Sequence, residues 1–251
     1  MVERPRGTRD FYPTEMRLRS WLFDKFHASS KAHGFEEYDS PILEYEELYT
    51  RKQGEEITQQ LFNFEDKGGR KVSLRPEMTP SLARMVMAQA KTLPLPLKWY
   101  SIPQCWRYER TQRGRGREHY QWNVDIWGTE NISADAELIS VMVHFFKSVG
   151  LKGNGFTQTC IVVDKMDKLP ANVIENQLSE IGLDSTSITT IQTILGIREL
   201  DKLEGHLGEQ SSAVLELKEL FSMLESYNIQ EWVEFDASIV RGLAYYTWSY
   251  I

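Results

Sequence analysis

The stretch from Lys98 to Gly128, KWYSIPQCWRYERTQRGRGREHYQWNVDIWG, restricts this chain more than any other. Two runs rich in aromatic and β-branched residues, Trp99 to Tyr108 and Tyr120 to Trp127, flank a turn of glycine and charge. This is the pattern of a long antiparallel hairpin. Strand alternation puts Arg107 and Glu109 on one face of the outgoing strand and Gln121, Asn123 and Asp125 on one face of the returning strand, with Trp122, Val124 and Ile126 opposite. One side is thus polar and ordered for binding, and the other belongs to a core. Arginines stand at 107, 110, 113, 115 and 117, and Gly114 and Gly116 let the loop approach a ligand closely. Planar guanidinium forks so placed suit a polyphosphate. The bland alternative is a surface hairpin with a solvated arginine tip, which has no need of amides and carboxylates lined up between tryptophans.

Composition bounds the rest. With 251 residues, 41% of them hydrophobic, the chain can bury a substantial core as one large domain or one domain plus an insertion. No window approaches the roughly 20 apolar residues of a membrane span. The net charge of -7 is not that of a protein that coats nucleic acid through bulk charge, so any RNA contact needs a local basic patch such as the hairpin loop. Cys105 and Cys160 lie far apart, with no CxxC and no Cys/His cluster, so neither a disulfide framework nor a protein metal site is expected. Both cysteines read as buried thiols in strands. The five histidines are scattered and read as structural or solvated. The opening MVERPRGTRDFYP shows no targeting peptide, which gives a cytoplasmic expectation, with a plastid or the mitochondrial matrix as the alternative if a presequence has been removed.

In chain order, Pro13 and Thr14 open a helix of about five turns with Leu18, Trp21, Leu22 and Phe26 at helical spacing and Gly34 as its C-terminal cap. A short strand broken by Pro41 follows. Leu61 to Leu74 reads as a hairpin turning at Gly68-Gly69, and Thr79-Pro80 starts a helix. Taken alone, Thr79 would be a helix cap and Glu77 a solvated charge. Ser133 to Val149 is a helix capped by Ser133, with Leu138, Val141, Met142, Phe145 and Val149 on one face. Phe156 to Val163 is strand-like, and the region up to about Ile229 is polar and rich in helix. In the closing EFDASIVRGLAYYTWSYI, Arg241 and Tyr245 fall on one face of a strand, and Tyr246 joins them if Gly242 bulges it.

Several of these stretches together resemble one family. WRYERTQRGRGREHYQWNVDIWG looks like motif 2 of a class II aminoacyl-tRNA synthetase, specifically that of histidyl-tRNA synthetase. RPRGTRDF, RPEMT and RGLAYY resemble other signatures of the same family. The chain departs from the pattern at Thr111, Gly116, His119 and Tyr120. The resemblance implies an α+β fold with a class II antiparallel sheet and flanking helices, incomplete, plus a helical insertion. It divides the chain into residues 1–163 (catalytic core), 164–230 (insertion) and 231–251 (return to the core). It implies a histidine-tRNA ligase that uses ATP to activate histidine to histidyl-adenylate and passes it to tRNA(His), with Mg2+ assisting.

By the same resemblance Arg107 and Arg241 are catalytic, Arg107, Glu109 and Arg115 bind ATP, and Glu77, Thr79, Arg107, Gln121, Asp125, Arg241, Tyr245 and Tyr246 hold histidine. An ammonium suits Glu77 and Thr79, since it needs a carboxylate and a hydroxyl as acceptors. The helix opening at Pro13 and the strand broken by Pro41 resemble motif 1 of the family, through which a homodimer is implied, and no membrane. After RGLAYYT the sequence TWSYI no longer follows the family, so a product truncated before motif 3 and the anticodon-binding domain is expected. Two other readings stand beside the ligase: an inactive regulatory or scaffolding subunit, and an enzyme that activates histidine without tRNA.

Overall fold

The computed structural model describes residues 2–50, 59–110, 116–151, 193 and 197–236. The chain divides into two compact units, Met1–Glu130 and Asn131–Ile251.

The first unit runs α1 (Pro13–Ala32), β1 (Glu36–Glu37), β2 (Leu43–Tyr45), α2 (Glu47–Thr50), β3 (Phe62–Glu65), β4 (Lys71–Leu74), α3 (Thr79–Ala88), β5 (Leu97–Ser101), β6 (Gln104–Trp106), β7 (Glu118–Tyr120) and β8 (Asn123–Trp127). The strands form three sheets, in the orders β1-β5-β8, β2-β4-β3 and β6-β7. All pairs are antiparallel except β1 with β5. The α+β class is as the sequence implies, with its strands distributed over small sheets.

The long hairpin forms, but in two ladders. Ser101 pairs with Asn123 and Gln104 with Tyr120, so the two ladders share one register with no inserted residue. The break falls at Pro103, which has no N–H to give; its carbonyl still accepts from Gln121 N at 3.1 Å. Because the register is unbroken, the alternation of faces carries through from Trp127 to Arg117.

Even-numbered side chains of that hairpin, Tyr100, Tyr120 and Trp122, dock on α1, whereas Trp106 and Tyr108 meet Phe62 of β3. Trp122 stacks on Phe26 with centroids 4.6 Å apart and donates from Nε1 to Ser30 Oγ at 3.0 Å. Tyr120 packs edge-on against Phe23 and Phe11. The Arg19 guanidinium lies 4.5 Å from the Phe11 ring centre and donates to Tyr120 Oη at 2.9 Å. Tyr100 is fully buried, its hydroxyl against His27 Nδ1 and Glu37, and burial first, then Glu37, pushes the phenol up to about 12. Each such aromatic contributes roughly 2–3 kcal/mol of burial.

The packed face of α1 is therefore Arg19, Phe23, Phe26 and Ser30. Leu18 and Trp21, expected inside, stay exposed. Both stripes are apolar at helical spacing, and the aromatics of the hairpin select one of them. Pro13 sits in the first turn, and Gly34 adopts φ 74° with its N–H on Lys31 O, as its place after the helix implies. The β3-β4 hairpin turns at Gly68 and Gly69, where the Asp66 carboxylate accepts from Gly68 N, Arg70 N and Arg70 Nε. These bonds hold its carboxyl below the usual range.

The second unit contains α4 (Ser133–Ser148), α5 (Leu200–Leu207), α6 (Ser212–Ser226) and a 3-10 turn at Gln230–Trp232. Two sequence expectations change here. Ser133 lies inside α4, and Asn131 Oδ1 accepts its N–H at 2.8 Å in the capping role. Ala136, Ile139, Val143 and Phe146 of α4 pack with Leu220, Leu224, Ile229 and Trp232; of the face expected from the sequence, Val141 is buried and Met142 is exposed. The helix is apolar on two overlapping stripes, so periodicity alone does not choose between them. The strand expected at Phe156 to Val163, Cys160 and the domain boundary at 163 lie outside the described residues. Among the described residues no helix is long and apolar enough to cross a membrane.

Candidate functional site

The site is built on the odd-numbered face of the hairpin, opposite α1. That face carries Arg107 and Glu109 on one strand and Arg117, His119, Gln121, Asn123 and Asp125 on the other. A cross-strand contact, Cys105 Sγ to Gln121 Oε1 at 3.4 Å, shows that it is one continuous surface. Arg117, the cross-strand neighbour of Arg107, lies four residues from Gln121, and Gln121 lies four from Asp125, so the three stand in that order along the strand.

One charged residue that the sequence does not single out joins this face to the segment Arg75–Thr79. Arg75 is 2% exposed, and its guanidinium donates to Ser40 O at 2.8 Å, Asp39 Oδ1 at 2.8 Å and Gln104 O at 3.0 Å. Its own carbonyl accepts from Trp106 N at 2.9 Å. Arg107 Nε reaches Pro76 O at 3.1 Å, which fixes the Arg107 side chain against the residue before Glu77. Glu77 is half-buried, not a solvated charge. Thr79 stands in the first turn of α3 with Met78 at the cap position, so its hydroxyl is not the cap that a purely structural reading assigns it. A signal for Arg75 was present in the sequence: an arginine directly before proline and next to a β-rich run.

Electrostatics vary along the face. At the Asp125 end, burial pushes the carboxyl up to about 6, and Asp125 Oδ2 is buried with no hydrogen-bond partner. A buried acceptor left unmet costs about 1–3 kcal/mol, which an incoming donor would recover. In the middle, burial pushes the Cys105 thiol up to about 11, with Arg75 and Arg107 opposing, so it behaves as an inert apolar group. At the other end, burial and then the Arg107 charge lower the pKa of His119, which disfavours its charged form beside the arginine. Arg117 stacks its guanidinium 4.2 Å from the Tyr108 ring centre.

The structure therefore brings Glu77, Thr79, Arg107, Glu109, Gln121 and Asp125 onto one unit, with Arg107 tied to the Glu77 segment. Arg115, Arg241, Tyr245 and Tyr246 lie outside the described residues. Among the described residues no group of three or more His, Cys, Asp or Glu side chains stands together to hold a metal ion, so these residues supply no cage for Mg2+.

Residues 7–196 match the family model described as histidyl-tRNA synthetase. The chain is 47% identical over 270 residues to the chloroplastic/mitochondrial histidine-tRNA ligase of Arabidopsis thaliana, covering 98% of this chain and 56% of that protein. It is 37% identical over 274 residues to the histidine-tRNA ligase of Pyrococcus furiosus, covering 98% and 63%. The chain thus spans 56% and 63% of the length of these relatives, less than two thirds of each. Its fold is similar to a histidyl-tRNA synthetase from Nostoc, with TM-score 0.76 and 20% identity over 97% of this chain and 62% of that one. A Bacillus halodurans protein described as an ATP phosphoribosyltransferase regulatory subunit/histidyl-tRNA synthetase aligns with TM-score 0.78 and 23% identity over 96% and 69%. On the family match over most of its length and on these identities, the chain belongs to the histidyl-tRNA synthetase family.

Proposed function

We propose that this chain carries the histidine-activating site of a histidine-tRNA ligase. The observation that carries the reading is the order of charge along one strand face: a carboxylate at Asp125 with one oxygen buried and unmet, an amide at Gln121, and a guanidinium anchored at Arg107. An aminoacyl-adenylate with a basic side chain has the same order, a hydrogen-bonding cation at one end and a phosphate at the other.

In this reading Asp125 accepts from the imidazole, with Tyr245 and Tyr246 around it. Gln121, Glu77 and Thr79 hold the α-amino group. Arg107 stabilises the charge that develops on the α-phosphate as the histidine carboxylate attacks and pyrophosphate leaves, and Arg241 is the second cation. Glu109 binds the adenine and Arg115 the outer phosphates. Mg2+ bound to the phosphates of ATP would neutralise part of their charge, and the described side chains would add no carboxylate cage to hold it. The acyl group then passes to the terminal ribose of tRNA(His), with the insertion at 164–230 beside the acceptor end and the core at 1–163 and 231–251 holding the adenylate. A homodimer through the motif 1 segment completes the proposal. The name of the Arabidopsis relative supports an organelle over the cytoplasm.

An inactive regulatory subunit is the second reading, favoured by the description of the Bacillus halodurans protein. The buried, unmet Oδ2 of Asp125 argues against it, because a chain that no longer binds histidine gains nothing from that cost. The test is histidine-dependent exchange of pyrophosphate into ATP. The wild type is expected to exchange, and Arg107→Ala to lose at least about 100-fold. A folded wild type that does not exchange would move the assignment to the regulatory subunit.

A further inference from the structure

Glu118 sits among the even-numbered, core-facing residues of the hairpin, with Tyr120 and Trp122, yet it is a carboxylate only 5% exposed. Burying a carboxylate is costly unless donors meet it. Here Oε1 accepts the backbone N–H of Arg9 at 2.7 Å, with Arg9 Nε at 3.6 Å, and Oε2 accepts Gln104 Nε2 at 2.6 Å. Arg117, its neighbour, donates its N–H to Gly7 O at 2.8 Å. Gly116 lies so near that a Cβ there would stand 2.9 Å from Gly7 O. Residues 7–9 therefore lie as a strap along 116–118.

The strap connects to the site through the backbone. Arg117 O accepts Arg107 N at 2.9 Å, and Arg107 Nε reaches Pro76 O. A single chain of bonds runs from Gly7 through Arg117 and Arg107 to the segment that carries Glu77. The Arg9 side chain is 55% exposed, so its ion pair adds little. The bond to the Arg9 N–H is the one that seats the strap.

We propose that Glu118 is a positioning residue for the ATP end of the site: it fastens the strap at 7–9 to the hairpin and so holds the backbone of Arg107 in place. The inference rests on the reading of Arg107 as an ATP ligand. An apolar residue at 118 would pack equally well against Tyr120 but would leave the strap unfastened.

The test compares Glu118→Ala with Glu118→Gln, which can still accept the Arg9 N–H if the Gln104 amide turns. Three readouts are taken: binding of a fluorescent ATP analogue, KM values in pyrophosphate exchange, and hydrogen exchange at the Arg107 and Arg117 amides. Glu118→Ala is expected to weaken ATP binding and raise its KM about tenfold, leave the histidine KM within about twofold, and speed both amides, with Glu118→Gln near wild type. Unchanged ATP binding, or equal losses for ATP and histidine, would overturn the proposal. If the alanine variant does not fold, Arg9→Pro, which removes the N–H that Glu118 accepts, must give the same ATP-selective loss or the proposal fails. A wild type that binds the analogue but does not exchange would fail the catalytic reading alone, since binding and amide exchange still report on Glu118. A wild type that does not bind it would sink both.

Discussion

Two charged residues of the site behave oppositely on substitution. Asp125 titrates near pH 6 when folded against about 3.9 when unfolded. The folded chain binds its proton more tightly, so the carboxyl contributes most to stability below about pH 4 and progressively less as pH rises to 6. Above that the folded state carries a penalty of at most about 3 kcal/mol. Asp125→Asn is expected to raise urea stability at pH 7.5 by about 1–3 kcal/mol, to show little gain at about pH 3.5, and to abolish histidine binding by calorimetry. Histidine affinity of the wild type should fall as pH drops through 6, as the carboxylate takes up its proton. For Arg75 and Asp39 the exposures decide. The arginine is 3% exposed and its partner 71%. Arg75→Ala strands buried carbonyls and should cost about 3–5 kcal/mol, whereas Asp39→Ala should cost under about 1 kcal/mol in the same denaturation experiment.

At the scale of elements, the hairpin and α1 are coupled, because Trp122, Tyr120 and Tyr100 all pack on that helix. Trp122→Ala is expected to cost about 3–5 kcal/mol by removing the stacked ring and stranding Ser30, and Trp122→Phe distinctly less, read from chemical denaturation monitored by far-UV circular dichroism. The same elements show what is legible in a sequence. Alternation sorted the two faces of the hairpin correctly because its register runs unbroken past Pro103. The glycines at 34, 68 and 69 marked turns because their backbone angles or close contacts leave little room for other residues. Periodicity was right only in part on α1 and α4: Phe26 and Val141 are packed or buried as expected, but each helix has a second apolar stripe, and which is buried depends on a partner distant in sequence. Arg75 was missed because its partners, Ser40 and Gln104, are joined to it only by the fold. Glu118 was legible in principle, as a charge among core-facing aromatics, but its donor Arg9 is more than a hundred residues away.

For the whole molecule the open question of assembly turns on the sheet β2-β4-β3. One face is covered by α3, where Glu44 Oε1 meets Arg84 at 2.6 Å and Ser81 at 3.1 Å. On the other, Leu43, Tyr45 and Phe64 are 46%, 57% and 50% exposed around the buried Val72, which pairs with both Tyr45 and Phe64. Phe62, on the same face, is met by Trp106 and Tyr108 at 6.1 and 5.2 Å, so the hairpin covers one end and leaves the other open. Exposed apolar side chains clustered on one sheet face mark an interaction surface. Leu43 and Tyr45 lie in the strand that follows Pro41, within the segment that resembles motif 1, which makes a second copy of the chain the expected occupant. A two-fold contact there would place each Tyr45 in the partner's interface as well. Sedimentation equilibrium is expected to give a dimer at micromolar concentration. Tyr45→Glu combined with Phe64→Glu should raise the dissociation constant by at least about 100-fold while leaving secondary structure intact, since both side chains point to solvent in the single chain. A wild type that sediments as a monomer, or a double variant that still dimerises, would place the contact between copies on another surface.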